Sequence, residues 1–250
     1  MRARLAKVLI MKKLTLEKIL QSQGFGTKKS CRYMVLDGLV EVDGGLVDDV
    51  HAEFDPMEQG GLKFKVDGAA WIYHEYVYVA LNKPAGVECS RRPKHHRGVL
   101  SLLPDQFTER DVQPVGRLDH DTTGLLLLSD DGNFIHDQSH PKRHVPKSYV
   151  ATTQDPVTPE LVAQLSAGVK LTDEPAPLAA IARQLDTHQI EITIDMGKYH
   201  QVKRMLAAAG HHCVALRRTA IGGLTLEALG LEEGGWTYLT PEQLGLLVAG

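Results

Sequence analysis

Several features are scarce in these 250 residues, and each scarcity removes a class of protein. The three cysteines, Cys31, Cys89 and Cys213, are far apart, odd in number and form no CxxC pair. That argues against a disulfide framework or a thiolate zinc site and points to a reducing cytosol. No apolar stretch approaches the roughly 20 residues that span a bilayer, and Val8–Met11 is too short for the apolar region of a signal peptide. Neither a membrane partner nor export is expected. Neither GxGxxG nor GxxxxGK(S/T) occurs, so nothing is present to cradle a nucleotide cofactor. Aromatic residues make up only 6%, which leaves few platforms for stacking sugars. A surplus of positive charge is also missing, since the formal net charge is −3.

What is present is ample apolar material and an uneven distribution of charge. With 43% apolar residues, the chain suits one large domain or a small one plus a larger one. Basic residues gather at Lys12–Lys13, at Lys28, Lys29 and Arg32, and at Arg91–Arg97. Further clusters lie at Lys142–Lys147, Lys198–Arg204 and Arg217–Arg218, while acids concentrate in Glu41–Glu58 and Glu227–Glu242. One-sided basicity under a near-neutral total is the electrostatic footprint expected of a polyanion binder, although charge runs also occur as plain solvated faces.

Along the chain, residues 1–13 read as a basic leader in which Met11 is an alternative start. Leu14–Gln23 has helical apolar spacing at Leu16, Ile19 and Leu20 and stops before Gly24. Thr27 can cap a second helix with Cys31, Met34 and Val35 inward. Leu39–Val42, the turn Asp43-Gly44-Gly45 and Leu46–Val50 make a hairpin signal. Residues 14–61 therefore form a helix-helix-hairpin unit, and 62–75 read as a linker and first strand region ahead of a larger domain over 76–250. That domain mixes strands at Tyr76–Leu81, Leu125–Leu128, Tyr149–Thr153, Ala179–Gln184, Ile190–Ile194 and Val214–Ala220 with helices near 131–138, 159–167, 199–209 and 241–247. Strands and helices do not alternate strictly, so an α+β fold on a mainly antiparallel sheet is expected.

The most informative segment is VGRLDHDTTG, Val115–Gly124, ahead of the apolar run Leu125–Leu128. If Arg117 to Asp119 is extended, the two side chains share one face and place a cation and an acid at one pocket mouth. The ordinary competing reading is that Asp119, Asp121, Thr122, Thr123 and Gly124 are turn formers bonding their own backbone. Together with LNKPAGVECS at Leu81–Ser90, KSYVAT at Lys147–Thr152 and GKYHQVKRM at Gly197–Met205, this segment resembles the pseudouridine synthases. The likeness is to the branch typified by the bacterial ribosomal small-subunit enzyme RsuA and its large-subunit relatives, and it covers nearly the whole chain from about Tyr76 onward. The N-terminal order resembles the small RNA-binding domain named after ribosomal protein S-four. There the family's usual start carries an arginine and an aspartate, where this chain has Lys13-Leu14-Thr15-Leu16-Glu17.

The resemblance implies an RNA isomerase that cleaves the bond from ribose to N1 of uracil, turns the base and rejoins it through C5. No atom is gained or lost, so no cofactor is expected. It implies Asp119 as the catalytic carboxylate, either as nucleophile or as initiator of glycal formation, Lys203 as the cation facing it, and Tyr149 as the aromatic against the uracil. A buried carboxylate tends to protonate, and a nearby cation typically lowers its pKa by about 1 to 3 units. RNA contacts fall to Arg117, which would brace the stack after the uridine is everted, and to Lys83, Lys147, Arg204, Lys28, Lys29 and Arg32.

Two other constellations are weaker. His136, His140 and His144 recur every four residues, but Pro141 interrupts that helix and no acid completes a zinc site, so no metal is expected. Paired acids such as Asp119 with Asp121 or Asp130 suit a glycoside hydrolase, which the scarcity of aromatics disfavours. The expected partner is ribosomal RNA, from the small subunit, in a pre-ribosomal particle, bound by a cytoplasmic monomer. The alternatives are a large-subunit target or a noncatalytic RNA-binding assembly factor on the same scaffold.

Overall fold

A computed structural model describes residues 13–90, 92–140 and 143–247. The expected basic leader, apart from Lys13, and the basic residues Arg91 and Lys142 lie outside the described residues. The chain divides into two compact units, one comprising the chain up to Tyr76 together with Pro104–Asp111, the other Val77–Leu103 and the chain from Val112 onward.

In the first unit, α1 (Leu16–Ser22) buries Leu16, Ile19 and Leu20, the face set by its three- and four-residue spacing. α2 (Lys28–Leu36) begins where Thr27 accepts the Ser30 N–H, and it buries Cys31 and Val35. β1 (Val40–Val42) and β2 (Gly45–Leu46) form the hairpin. Its two turn residues, Asp43 (φ 50°) and Gly44 (φ 82°), are both left-handed, as the right-handed twist of a tight hairpin requires. The sheet continues through β3 (Lys63–Val66) and β4 (Ala69–Ile72) in the order β2-β1-β3-β4. Residues 62–75, expected as a linker and first strand region, hold two strands of this sheet: Val40 pairs with Val66 and Val42 with Phe64, and Phe25 packs edge-on against Phe64 and Trp71. The exposed-buried alternation of Lys63-Phe64-Lys65-Val66 is a strand signal, and its apolar face completes this core.

A short helix, Asp105–Glu109, also belongs to this unit. A Cβ at Gly24 would sit 2.2 Å from the Gln106 carbonyl oxygen, so only glycine admits that approach. Arg110 donates to Gln23 Oε1 (2.8 Å), the His74 carbonyl (2.9 Å) and the Glu75 carbonyl (3.0 Å).

The second unit is built on a nine-stranded sheet. Its strands are β5 (Tyr78–Lys83), β6 (Gln113–Val115), β7 (Thr123–Ser129), β8 (Lys147–Thr153), β9 (Ile181–Asp186), β10 (Gln189–Ile194), β11 (Cys213–Ile221), β12 (Leu224–Thr225) and β13 (Trp236–Tyr238). The order is β9-β10-β8-β11-β7-β5-β13, with β6 added to β7 and β12 to β11. Every pairing in it is antiparallel except β7 with β11. Leu125–Leu128 of β7 are all buried, which is why that strand reads as an unbroken apolar run rather than an alternation. α3 (Gly132–Ser139) is capped by Asp131 and α4 (Pro159–Ala167) by Thr158, while α5 (Gln201–Ala208) buries Val202, Met205 and Leu206.

The pairing registers put Tyr149 opposite Arg218, Arg218 opposite Gly124, and Gly124 opposite Lys83. Directly opposed residues share a face, so an aromatic, a guanidinium, a gap and an ammonium line up across β8, β11, β7 and β5. A Cβ at Gly124 would lie 2.2 Å from the Arg218 carbonyl oxygen, and its φ is +100°. Glycine is therefore required where the two parallel strands meet.

Candidate active site

Asp119 stands in a loop between β6 and β7, not on a strand. Gly116, with a φ of +75°, follows the end of β6, and Arg117–Asp119 lie outside any strand. Arg117 and Asp119 nonetheless border the same cavity. The loop is braced from beneath. Lys83 is fully buried, and its ammonium donates to the carbonyls of Pro84 (3.0 Å), His120 (3.2 Å) and Thr122 (2.9 Å). The Gly86 N–H also donates to the His120 carbonyl, at 2.7 Å, and the Leu118 N–H to the Cys89 sulfur, at 3.5 Å.

Lys83 therefore corrects the expectation of an RNA contact. A buried ammonium needs an acceptor for each of its donors, and the loop backbone supplies them. Burial pushes its pKa below the ordinary lysine value. Its place in the structure is to hold the loop that carries Asp119.

Lys203, one turn into α5, reaches across to this loop. Its Nζ lies 3.2 Å from Asp119 Oδ2 and 2.7 Å from Asp121 Oδ1, with the lysine side chain 24% exposed. Burial alone pulls Lys203 down, but hydrogen bonds to Asp121 and Asp119 and their charges more than reverse it and raise its pKa. For Asp121, burial pushes up, yet the Lys203 hydrogen bond and charge prevail and hold its carboxyl below the usual range. One ammonium thus clamps two carboxylates.

A second partner of Asp119 had no reading in the sequence. His200 Nε2 is 3.1 Å from Asp119 Oδ1, on the oxygen that Lys203 leaves free. His200 precedes α5 with a left-handed backbone (φ 47°) and stacks on Tyr199, with ring centroids 3.8 Å apart. Its position in GKYHQVKRM, three residues before Lys203, was the available signal.

The cavity beside these groups has a volume of about 130 Å³. An apolar cavity of about 150 Å³ accommodates benzene, so the space is on the scale of a single planar ring. Tyr149, Lys147, Arg218, Arg117 and Asp119 all line it. Tyr149 is buried, and its hydroxyl has no hydrogen-bond partner among the described residues. Lys147 donates to the Val145 carbonyl at 2.7 Å, and burial, reinforced by the Arg218 cation and opposed by Asp195, lowers its pKa to about 8. Arg117 is exposed and makes no hydrogen bond or ion pair with any described residue.

Within the second unit, Arg204 does not line this cavity. Arg204 is ion-paired with Asp173 and donates to the Tyr199 carbonyl, so its guanidinium is already engaged within the chain. In the first unit, Lys28, Lys29 and Arg32 are exposed on α2, with Lys28 3.3 Å from Glu17 and Lys29 over the ring of Tyr33. Of the three histidines spaced by four, His136 faces Asp137 and His144 faces Asp195.

Comparison with known proteins points one way. A family model described as RNA pseudouridylate synthase matches residues 77–208. The Ribosomal small subunit pseudouridine synthase A of Escherichia coli (strain K12) is 41% identical over 84% of this chain and 89% of its own length. The Uncharacterized RNA pseudouridine synthase YtzG of Bacillus subtilis (strain 168) is 34% identical over 94% and 98% respectively. A crystal structure of a pseudouridylate synthase, 32% identical, covers 94% of this chain and all of its own with a TM-score of 0.65.

Proposed function

Because the chain belongs to the RNA pseudouridine synthase family, in its RsuA-like branch, we propose that it isomerises one uridine of small-subunit ribosomal RNA, using Asp119. The enzyme is an RNA isomerase. Breaking the C1′–N1 bond, turning the base and forming C1′–C5 releases the C5 proton and leaves one on N1, so atoms balance without a co-reactant. The observation that carries the reading is the Asp119 carboxylate, gripped by Lys203 at 3.2 Å and His200 at 3.1 Å, bordering a ring-sized cavity shared with Tyr149.

In this reading the target nucleoside swings out of the RNA and its base enters the cavity. Asp119, held by Lys203 and His200, acts at the sugar. Tyr149 packs against the base and assists removal of the C5 proton. Arg117, exposed and uncommitted, braces the vacated stack or its phosphate. The small-subunit assignment is supported by the Escherichia coli and Vibrio cholerae relatives named ribosomal small subunit pseudouridine synthase A. The N-terminal unit, an S-four-like domain over residues 14–76 in this reading, presents Lys28, Lys29 and Arg32 to the RNA. The protein works as a cytoplasmic monomer on a pre-ribosomal particle.

Purified protein incubated with small-subunit and large-subunit transcripts carrying tritium at uridine C5 tests this directly. Tritium release from the small-subunit transcript alone is expected. Release from the large-subunit transcript alone would reassign the target, and binding without release from either would leave a noncatalytic factor.

A further inference from the structure

Arg218 had no separate role in the sequence, yet it occupies the centre of the row beneath the site. It is 3% exposed, cross-strand from Tyr149 and lining the same cavity. Its Nε donates to the Leu125 carbonyl at 2.6 Å, which fixes the plane of the guanidinium. Its Nη2 is buried and has no hydrogen-bond partner among the described residues. An orphaned guanidinium N–H is costly in a folded interior, and such groups usually receive an acceptor that the bare protein lacks.

The occupant of the cavity can supply one. Resting on the reading of this cavity as the uridine site, we propose that Arg218 is the residue that selects uracil, donating from Nη2 to a ring carbonyl of the everted base. The chemistry of the reaction favours a fixed donor at this place. When the freed base turns about the axis through N3 and C6, N1 exchanges with C5 and the C2 carbonyl exchanges with the C4 carbonyl. A single wall donor therefore meets a carbonyl oxygen both before and after the turn. Cytosine carries an amine at C4, so it sets donor against donor in one of the two orientations. A backbone phosphate is a poorer candidate, because a bulky anionic linkage on the RNA strand cannot reach a side chain so deeply buried. Arg117 at the rim, exposed and without an ion pair among the described residues, suits that contact better.

The test pairs a protein change with a substrate change. A transcript carrying 4-thiouridine at the target replaces the C4 oxygen by sulfur, a weaker acceptor, and that atom meets the donor in one half of the reaction whichever carbonyl binds first. Wild-type enzyme is expected to convert the thio substrate roughly 10- to 100-fold more slowly than uridine, the size of a lost charged hydrogen bond. Arg218→Met should lower kcat/KM for uridine by a similar factor and convert both substrates at nearly equal rates, with the salt dependence of RNA binding unchanged. Arg218→Lys, which keeps the charge, covers the case in which the methionine variant does not fold, and it should show the same collapse of the oxygen-to-sulfur ratio. The proposal is overturned if wild type ignores the sulfur, if the ratio is as large in the variants as in wild type, or if the variants shed one phosphate's worth of salt slope. Failure of the underlying reading registers separately, as uridine turnover that survives Asp119→Asn.

Discussion

Lys28 of the N-terminal unit is 67% exposed, and Lys29 and Arg32 beside it are open to solvent on α2, whereas in the C-terminal unit Lys83 is fully buried and Arg218 nearly so. The two regions carry cations of the same kind in opposite physical regimes. Solvated charges on a helix face attract a polyanion from a distance, are screened by salt and depend little on exact placement. Enclosed charges lose water, are tied to named acceptors, and act through geometry: the buried Lys83 through three carbonyls and Arg218 through the Leu125 carbonyl, the half-buried Lys203 through two carboxylates. Under the proposed function, the solvated set would serve affinity and the enclosed set the chemistry.

Breaking the chemical side should have the largest effect. Asp119→Asn should lower tritium release on the order of 10⁴-fold while RNA binding in a filter or fluorescence assay stays near wild type. Turnover within about tenfold of wild type would remove this acid from the reaction. Lys203→Met comes next: it frees two adjacent carboxylates to repel each other, and kcat at neutral pH should drop roughly 10- to 100-fold with little change in KM. Lys83→Met sharpens the contrast, since a buried lysine at this place should affect stability. The carbonyls of Pro84, His120 and Thr122 lose their donor, and the unfolding free energy measured by denaturant titration should fall by about 1–3 kcal/mol.

Changes on the solvated side should be gentler and of another character. Replacing Lys28, Lys29 and Arg32 together by glutamine should reduce the slope of log affinity against log salt by up to about 0.9 for each phosphate left without its cation, with kcat at saturating RNA unaltered. An unaltered slope would take α2 out of the interface. A separate, pH-dependent effect belongs to Lys147, whose pKa falls from 10.5 to about 8 in the fold. Below about pH 8 both folded and unfolded chains hold its proton; between there and 10.5 only the unfolded chain does, so stability from this group rises with pH. Denaturant titrations at about pH 8 and about pH 10 should show that increment in wild type and its loss in Lys147→Met.

Much of the secondary structure is legible in the sequence because its causes are local. Thr27 capping α2, the apolar stripe of α5 and the Asp43-Gly44 turn are decided by residues within a few positions of one another. Other elements give no such signal. β13 is three residues long, and the Asp105–Glu109 helix has no side-chain cap, so neither announces itself by periodicity. Residues 62–75 read as a linker and first strand region because Pro56, Gly60 and Gly61 just before them look like a domain boundary, while the structure keeps those three within one unit, with Gly60 ending a short 3-10 helix.

By itself the sequence determined the fold class, the family and the segments that bear Asp119, Tyr149 and Lys203, since each rests on a contiguous motif or a local period. Only the tertiary structure decided that Lys83 supports a loop instead of touching RNA, that His200 shares Asp119 with Lys203, and that Arg218 lies between Tyr149 and Gly124. Those facts depend on strand order and on the one parallel pairing in the large sheet, which brings together residues tens of positions apart. A side chain's hydrogen-bond partners are set by what lies across the sheet from it, and no local pattern encodes that neighbour.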